Sequence, residues 1–453
     1  MAGKYLLEPI AIKRVETKYR KIVTKLPVPE SLEILEDLHR YEPRSMQGQP
    51  PVVWDHADAF NVYDAYGNKW LDWSSGVLIT NAGHGHPELV KAIKRIADQK
   101  LITTYCFPHA GRAKLVKMLT ERAPEPLKKV FLLSTGAEAT ENTIKLARTF
   151  GRLKKPSKKI IVSFENAFHG RTLGAQLAGG MKRLKEWIGS DDPSFVQVPF
   201  PDGYKNIDTR FELFEETLKA KGVNISDVAG VISETYQGVG PDFMPVEYAK
   251  KLREWCDKHE AVLIFDEVQA GFGRTGKYWG FENYGIVPDL IACGKGISGG
   301  MPISAVIGRK DIMELYPPGA MTSTHSGNPI CVECAIANLE IIDNEKLVEN
   351  SAKLGKILYE GCLKIQKAHP EFLGHVCGGH GLVAGILVVK PGTKTPDPEK
   401  ALKINELCFR KGLLMFAPVG IGGECIKISP PLCINESALK EGLEVLAETC
   451  SEA

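Results

Sequence analysis

At 453 residues the chain is long enough for two or three domains with substantial cores. Its 57 basic and 55 acidic residues nearly cancel, so nothing argues for a nucleic-acid or anionic-membrane surface. A composition 43% hydrophobic and 25% charged is that of an ordinary soluble globular protein. Charges run through Met1 to Arg20, unlike a signal peptide, and no uninterrupted apolar stretch reaches the length of a membrane span. The eleven cysteines are odd in number and scattered, which fits a reduced, cytoplasmic setting.

The first 50 residues hold polar helix-like stretches broken at Pro27 and Pro29. Two short strands follow, Asn61 to Asp64 and Lys69 to Asp72, joined by the turn Ala65-Tyr66-Gly67-Asn68. From about residue 85 to 330, helices alternate with short apolar strands. The helices are Pro87 to Lys100, Ala137 to Phe150 and Val246 to His259. The strands are Val130 to Leu133, Lys159 to Val162, Val228 to Ile232 and Ala261 to Phe265. Such alternation predicts an α/β fold with a mainly parallel sheet covered on both faces. Beyond Pro329, a helix over Ile330 to Ile342 and strands at Leu382 to Val389 and Cys425 to Ser429 suggest a smaller α+β domain. Cys331 and Cys334 fall on that helix, where two small residues on a packed face are a better reading than a redox pair or metal site. The domains expected are 1–80, joining the small domain, a large domain over 81–330, and 331–453.

Four strand ends carry chemistry. Leu133-Ser134-Thr135-Gly136-Ala137 runs a strand into a helix start, whose free N–H groups suit a phosphate; the plainer alternative is that Ser134 or Thr135 merely caps the helix. In Phe168-His169-Gly170-Arg171-Thr172, the phenyl ring suits a planar ligand, His169 could support it and Arg171 could take a carboxylate; an aromatic–histidine pair alone more often packs a core. Asp266-Glu267 ends an apolar strand, with one of the two carboxylates expected to be structural. Lys295 stands between Gly294 and Gly296 just after Leu290-Ile291-Ala292, not where a solvating lysine usually goes. An amine able to form a Schiff base and an acid able to face a ring nitrogen are what pyridoxal phosphate needs. No metal is expected, since His84, His86, His169 and His325 lack ligand spacing.

These parts, in this order, resemble the class III (4-aminobutyrate and ornithine type) aminotransferases of the fold-type I pyridoxal-phosphate enzymes. The resemblance runs from about residue 50 and includes Leu71-Asp72-Trp73-Ser74-Ser75-Gly76, Gly83-His84-Gly85-His86-Pro87, Asp266-Glu267-Val268-Gln269 and Thr324-His325-Ser326-Gly327-Asn328-Pro329. It implies Lys295 as the Schiff-base lysine and proton carrier, Asp266 as partner of the ring nitrogen, and Gln269 as donor to the phenolic oxygen. Phe168 would cover the ring with His169 beside it. Gly136 and Ala137 would offer N–H groups to the phosphate, and Glu234 would support the site from behind. The resemblance also implies that Thr324 reaches the phosphate of a neighbouring subunit, hence a homodimer or dimer of dimers. Val77 would line the substrate pocket.

Three positions depart from the family. Position 137 is Ala rather than Ser or Thr, with Thr135 a possible substitute for the lost hydroxyl. Val239, in Gln237-Gly238-Val239-Gly240, replaces a glutamate, and Lys427 stands where an arginine binds the substrate carboxylate. Lysine is a point charge rather than a bidentate fork, so Arg171 and Lys427 are both candidates for holding that carboxylate, and a glutamate preference is not implied. The expected reaction moves an amino group between a small amine or amino acid and an oxo acid. The alternative is amino-acid racemisation or epimerisation on the same scaffold.

Overall fold

The computed structural model describes residues 5–453, which form two compact units. Pro87–Val348 is the central unit, and the residues before Pro87 combine with Glu349–Ala453 as the terminal unit.

The central sheet has seven strands in the order Leu127–Leu133, Ser304–Arg309, Leu290–Cys293, Val262–Asp266, Val228–Glu234, Ile160–Phe164, Phe195–Val198. Only Ser304–Arg309 runs against the others. The inner strands Val228–Glu234 and Val262–Asp266 are buried at every position, which is why their apolar runs show no alternation. Phe195–Val198 escapes a sequence reading because it is a four-residue strand at the sheet edge.

Gly136–Lys154 is a helix because Thr135 caps it: its hydroxyl accepts the Glu138 N–H, while the Glu138 carboxylate accepts the Thr135 N–H at 2.9 Å. Ala139, Thr143, Ala147 and Gly151 recur every four residues on its buried face. Small side chains there let the helix lie close against the sheet; losing the Thr135 cap would cost about 1 kcal/mol. The helix Pro329–Asn344 packs on Pro87–Asp98 and Ala110–Arg122 and belongs to the central unit, although the sequence boundary at 330 set it in the C-terminal domain.

The carboxyl ends of the parallel strands position the chemistry. Asp266 sits level with Glu234 on one neighbour and Ala292 on the other. In sheets of this type, ligands lie outside those ends.

In the terminal unit Asn61–Tyr63 pairs antiparallel with Lys69–Asp72 inside a six-stranded sheet. A second sheet joins Leu373–Gly378, Ala384–Val388 and Cys425–Ile428, all antiparallel. After Asp72 the backbone makes a turn that no pattern in the sequence announces: Ser75, Gly76, Val77 and Leu78 have φ of 49°, 56°, 66° and 62°. This is left-handed helix, which costs an L-residue roughly 1–2 kcal/mol and is most unusual for a β-branched valine. Among the described residues no helix is long and apolar enough to cross a membrane.

Candidate active site

Successive residues at a strand end face opposite ways, and this separates the two adjacent acids. Glu267 is fully buried and accepts the Gly280 N–H at 2.6 Å, the Phe281 N–H at 3.1 Å and the Thr235 hydroxyl. It is the structural member of the pair. Asp266 points to a cavity, where its Oδ1 accepts the Val268 N–H at 3.0 Å and its Oδ2 lies 2.8 Å from His169 Nδ1. With Nδ1 on Asp266, the buried Nε2 of His169 has no protein partner.

Glu234, one strand over, accepts the N–H of Phe168 at 2.9 Å and of Gly238 at 2.8 Å, tying two loops to the sheet. The Phe168–Gly170 loop also presses on the start of the Gly136–Lys154 helix. Gly170 has φ 135°, and a Cβ there would sit 2.7 Å from the Ala137 Cβ. A Cβ on Gly136 would meet Val268 at 2.9 Å. Glycine at 170 is therefore what lets this loop lie against Ala137.

Lys295 follows the Leu290–Cys293 strand at φ 42°, a conformation that fixes the direction of its side chain at a cost of about 1–3 kcal/mol. Among the described residues no hydrogen bond or ion pair holds its ammonium. Burial pushes the Lys295 pKa down, against the pull of Asp266 and Glu234. Burial raises Glu234 to about 7, and the Asp266 charge adds to this while His169 opposes it. For His169 burial works downward, but the hydrogen bond and charge of Asp266, with Glu234, outweigh it and leave the imidazole above its usual value.

A cavity of about 130 Å³ is lined by Gly136, Ala137, Phe168, His169, Glu234, Asp266, Gln269 and Lys295, all expected from the sequence. Tyr236, Val268 and Gly170 line it as well and were missed. Tyr236 carried a signal, since it lies two residues beyond Glu234 and so on the same side of an extended chain; its hydroxyl donates to the Gln269 carbonyl at 3.2 Å. Thr135 is not in the lining, because its hydroxyl caps the helix. Thr324 is exposed and Arg171 is exposed over the Phe168 ring, 5.7 Å from its centre; neither lines the cavity. Val77 and Lys427 belong to the terminal unit, where Val77 is 44% exposed and Lys427 is buried in Cys425–Ile428.

The donor set fits pyridoxal phosphate. One small space collects an amine whose charge is disfavoured, a fixed carboxylate, an aromatic ring and the first turn of a helix, and it holds a buried imidazole nitrogen that only a bound group or water could satisfy.

The class-III aminotransferase family matches residues 44–450. A 4-aminobutyrate aminotransferase of Mycobacterium leprae is 33% identical over 446 residues, covering 94% of this chain and 97% of that protein. An isoleucine 2-epimerase of Lentilactobacillus buchneri is 34% identical, covering 91% of this chain and 93% of that protein. Among solved structures, a Bacillus anthracis aminotransferase superposes with a TM-score of 0.85 at 29% identity, covering 94% of this chain and 99% of that one. The chain belongs to the class-III aminotransferases, pyridoxal-phosphate enzymes of fold type I that move an amino group between an amine or amino acid and an oxo acid.

Proposed function

We infer that Lys295 is the residue on which this chain's transamination turns. The observation that carries the reading is a half-buried lysine, its ammonium without a hydrogen bond or ion pair among the described residues, lining the same cavity as Asp266. Its lowered pKa favours the neutral amine, which is both the nucleophile that holds an aldehyde and the base that can take a proton from a substrate carbon. When bound, pyridoxal phosphate supplies an electron-withdrawing ring that makes that proton removable.

The other residues hold and orient. Asp266 meets the ring nitrogen with a carboxylate already aimed by Val268 and His169. Phe168 covers the ring face, braced from behind by Glu234. Gly136 and Ala137 give backbone N–H groups to the phosphate, and Gln269 donates to the phenolic oxygen. Thr324 serves a neighbouring subunit's phosphate, so the working form is a homodimer or dimer of dimers; sedimentation velocity of the purified protein checks the oligomer. The scattered, free cysteines fit a cytoplasmic setting. Val77 touches the donor's side chain, and Arg171 or Lys427 holds its carboxylate.

Borohydride reduction of the yellow protein, followed by peptide mapping, tests the centre of this reading. The label should fall on the peptide containing Lys295, and Lys295→Ala should lower turnover by roughly four orders of magnitude while the fold persists. A label on another lysine, or retained turnover, refutes it.

A second reading has its own support. Val239 is buried where the family carries a glutamate, and a relative of similar identity is named an epimerase. A panel of chiral amino acids, scored for amino transfer and for loss of chirality, separates the two. Racemisation that needs no oxo acid would favour epimerisation.

A further inference from the structure

The left-handed turn of the terminal unit is held from both sides. Asp72 is fully buried at its base. Its Oδ1 accepts the Ser74 N–H at 2.7 Å and the Ser74 hydroxyl at 2.6 Å, and its Oδ2 lies 2.7 Å from His84 Nε2. The Ser74 oxygen in turn accepts the Gly76 N–H at 3.0 Å. A continuous run of hydrogen bonds thus leads from His84 through Asp72 and Ser74 into the second residue of the turn. On the other side the Ser75 hydroxyl donates to the Ser429 carbonyl at 2.6 Å, and the Ser429 N–H donates to the Trp73 carbonyl at 2.9 Å. The turn closes on itself through Leu78 N–H to Ser74 O at 3.0 Å and Ile79 N–H to Ser75 O at 2.8 Å.

Strained backbone persists only where its surroundings over-determine it, and it gathers where function needs a fixed geometry. Ser75 and Leu78 are buried, at 0% and 2% exposure, while Val77 between them is 44% exposed. The turn therefore spends its strain on holding one apolar side chain outward. Within one subunit burial does not reward that arrangement.

We propose that the His84–Asp72–Ser74 run is a positioning device for substrate selection: it keeps Ser75–Leu78 left-handed, and so fixes Val77 where it meets the donor's side chain. His84 and Asp72 are positioning residues that touch no reacting atom. The proposal rests on Val77 contacting the donor, as inferred above.

The test is a double-mutant cycle on the holoenzyme, read in the single-turnover reaction of bound cofactor with excess L-alanine and excess L-isoleucine. His84→Phe keeps a ring but removes the hydrogen bond to Asp72. It should change the ratio of the two rates roughly tenfold, and that change should vanish in a Val77→Gly background. Hydrogen exchange supplies a readout independent of the donors: the Leu78 and Ile79 amides should exchange roughly tenfold faster in His84→Phe. Should His84→Phe not fold, Asp72→Asn is read by the same two measurements. Equal loss for both donors, a ratio change that survives Val77→Gly, or unchanged exchange at those amides overturns the proposal. If Val77→Gly itself leaves the ratio unmoved, the failure lies in the contact assigned to Val77, and the amide exchange still reports on the clamp.

Discussion

Each unit contains a buried aspartate–histidine pair of nearly equal length, Asp266–His169 at 2.8 Å and Asp72–His84 at 2.7 Å, and the two are built for different work. Around Asp266 the pair is left incomplete: His169 Nε2 is buried without a protein partner, and the neighbouring Lys295 is pushed toward its neutral form. Around Asp72 the second oxygen is consumed by both Ser74 donors, and Trp54 packs edge-on against the His84 ring. The first pair leaves hydrogen-bonding capacity open for something the protein does not supply. The second spends its capacity on backbone. The same two side chains make a binding site or a brace according to what else lies within 3 Å of them.

The largest expected effect separates the two carboxylates. Asp266→Asn should lower kcat roughly 10²- to 10⁴-fold for every amine donor, because the charge proposed to support the ring nitrogen is lost. Asp72→Asn should instead change which donors are preferred. Steady-state kinetics on a donor panel would break the contrast if both variants lost activity evenly.

A smaller effect concerns pH. Burial raises Glu234 from 4.5 to about 7 and Glu267 likewise to about 7, and His169 is also raised. Groups whose folded pKa is raised contribute stability that is complete below the unfolded value and is lost as pH rises through the folded one. Thermal unfolding midpoints should therefore fall as pH rises from 4.5 to about 7, and Glu234→Gln should flatten part of that slope. A slope identical to that of the unaltered protein would show that Glu234 does not titrate in this range.

The smallest effect sharpens the role of one hydroxyl. Thr135→Ala should cost about 1 kcal/mol of stability through loss of the helix cap. If capping is its whole role, cofactor affinity should be unchanged, whereas loss of a direct hydrogen bond to the phosphate, worth about 1 kcal/mol, would lower it roughly fivefold. Such a drop in affinity, measured by cofactor titration of the apoprotein, would return Thr135 to the phosphate.

The cofactor cavity was legible in the sequence because its parts are punctuation marks. Asp266 and Glu234 end apolar strands, Lys295 sits between glycines after another, and Thr135 precedes a helical pattern with Glu138 three residues on. Those signals are local, so they survive in one dimension. The cap at Thr135 was legible too, since its partner Glu138 is three residues on; the close approach of Gly170 to Ala137 was not, because it depends on where a loop from a different strand lands. Tyr236 and Val268 were missed for the same reason, as residues whose place in the lining follows from strand register.

By itself the sequence determined the α/β alternation and the family, and it singled out the candidate amine and acid, since hydrophobic period and strand-end residues are written along the chain. The tertiary structure gave the reason that Asp266 rather than Glu267 faces the cavity, because facing is a property of the sheet's two sides. Only the tertiary structure disclosed the left-handed turn at Val77. Its strain is balanced by hydrogen bonds from His84 and Ser429, which lie near it in space and not in sequence.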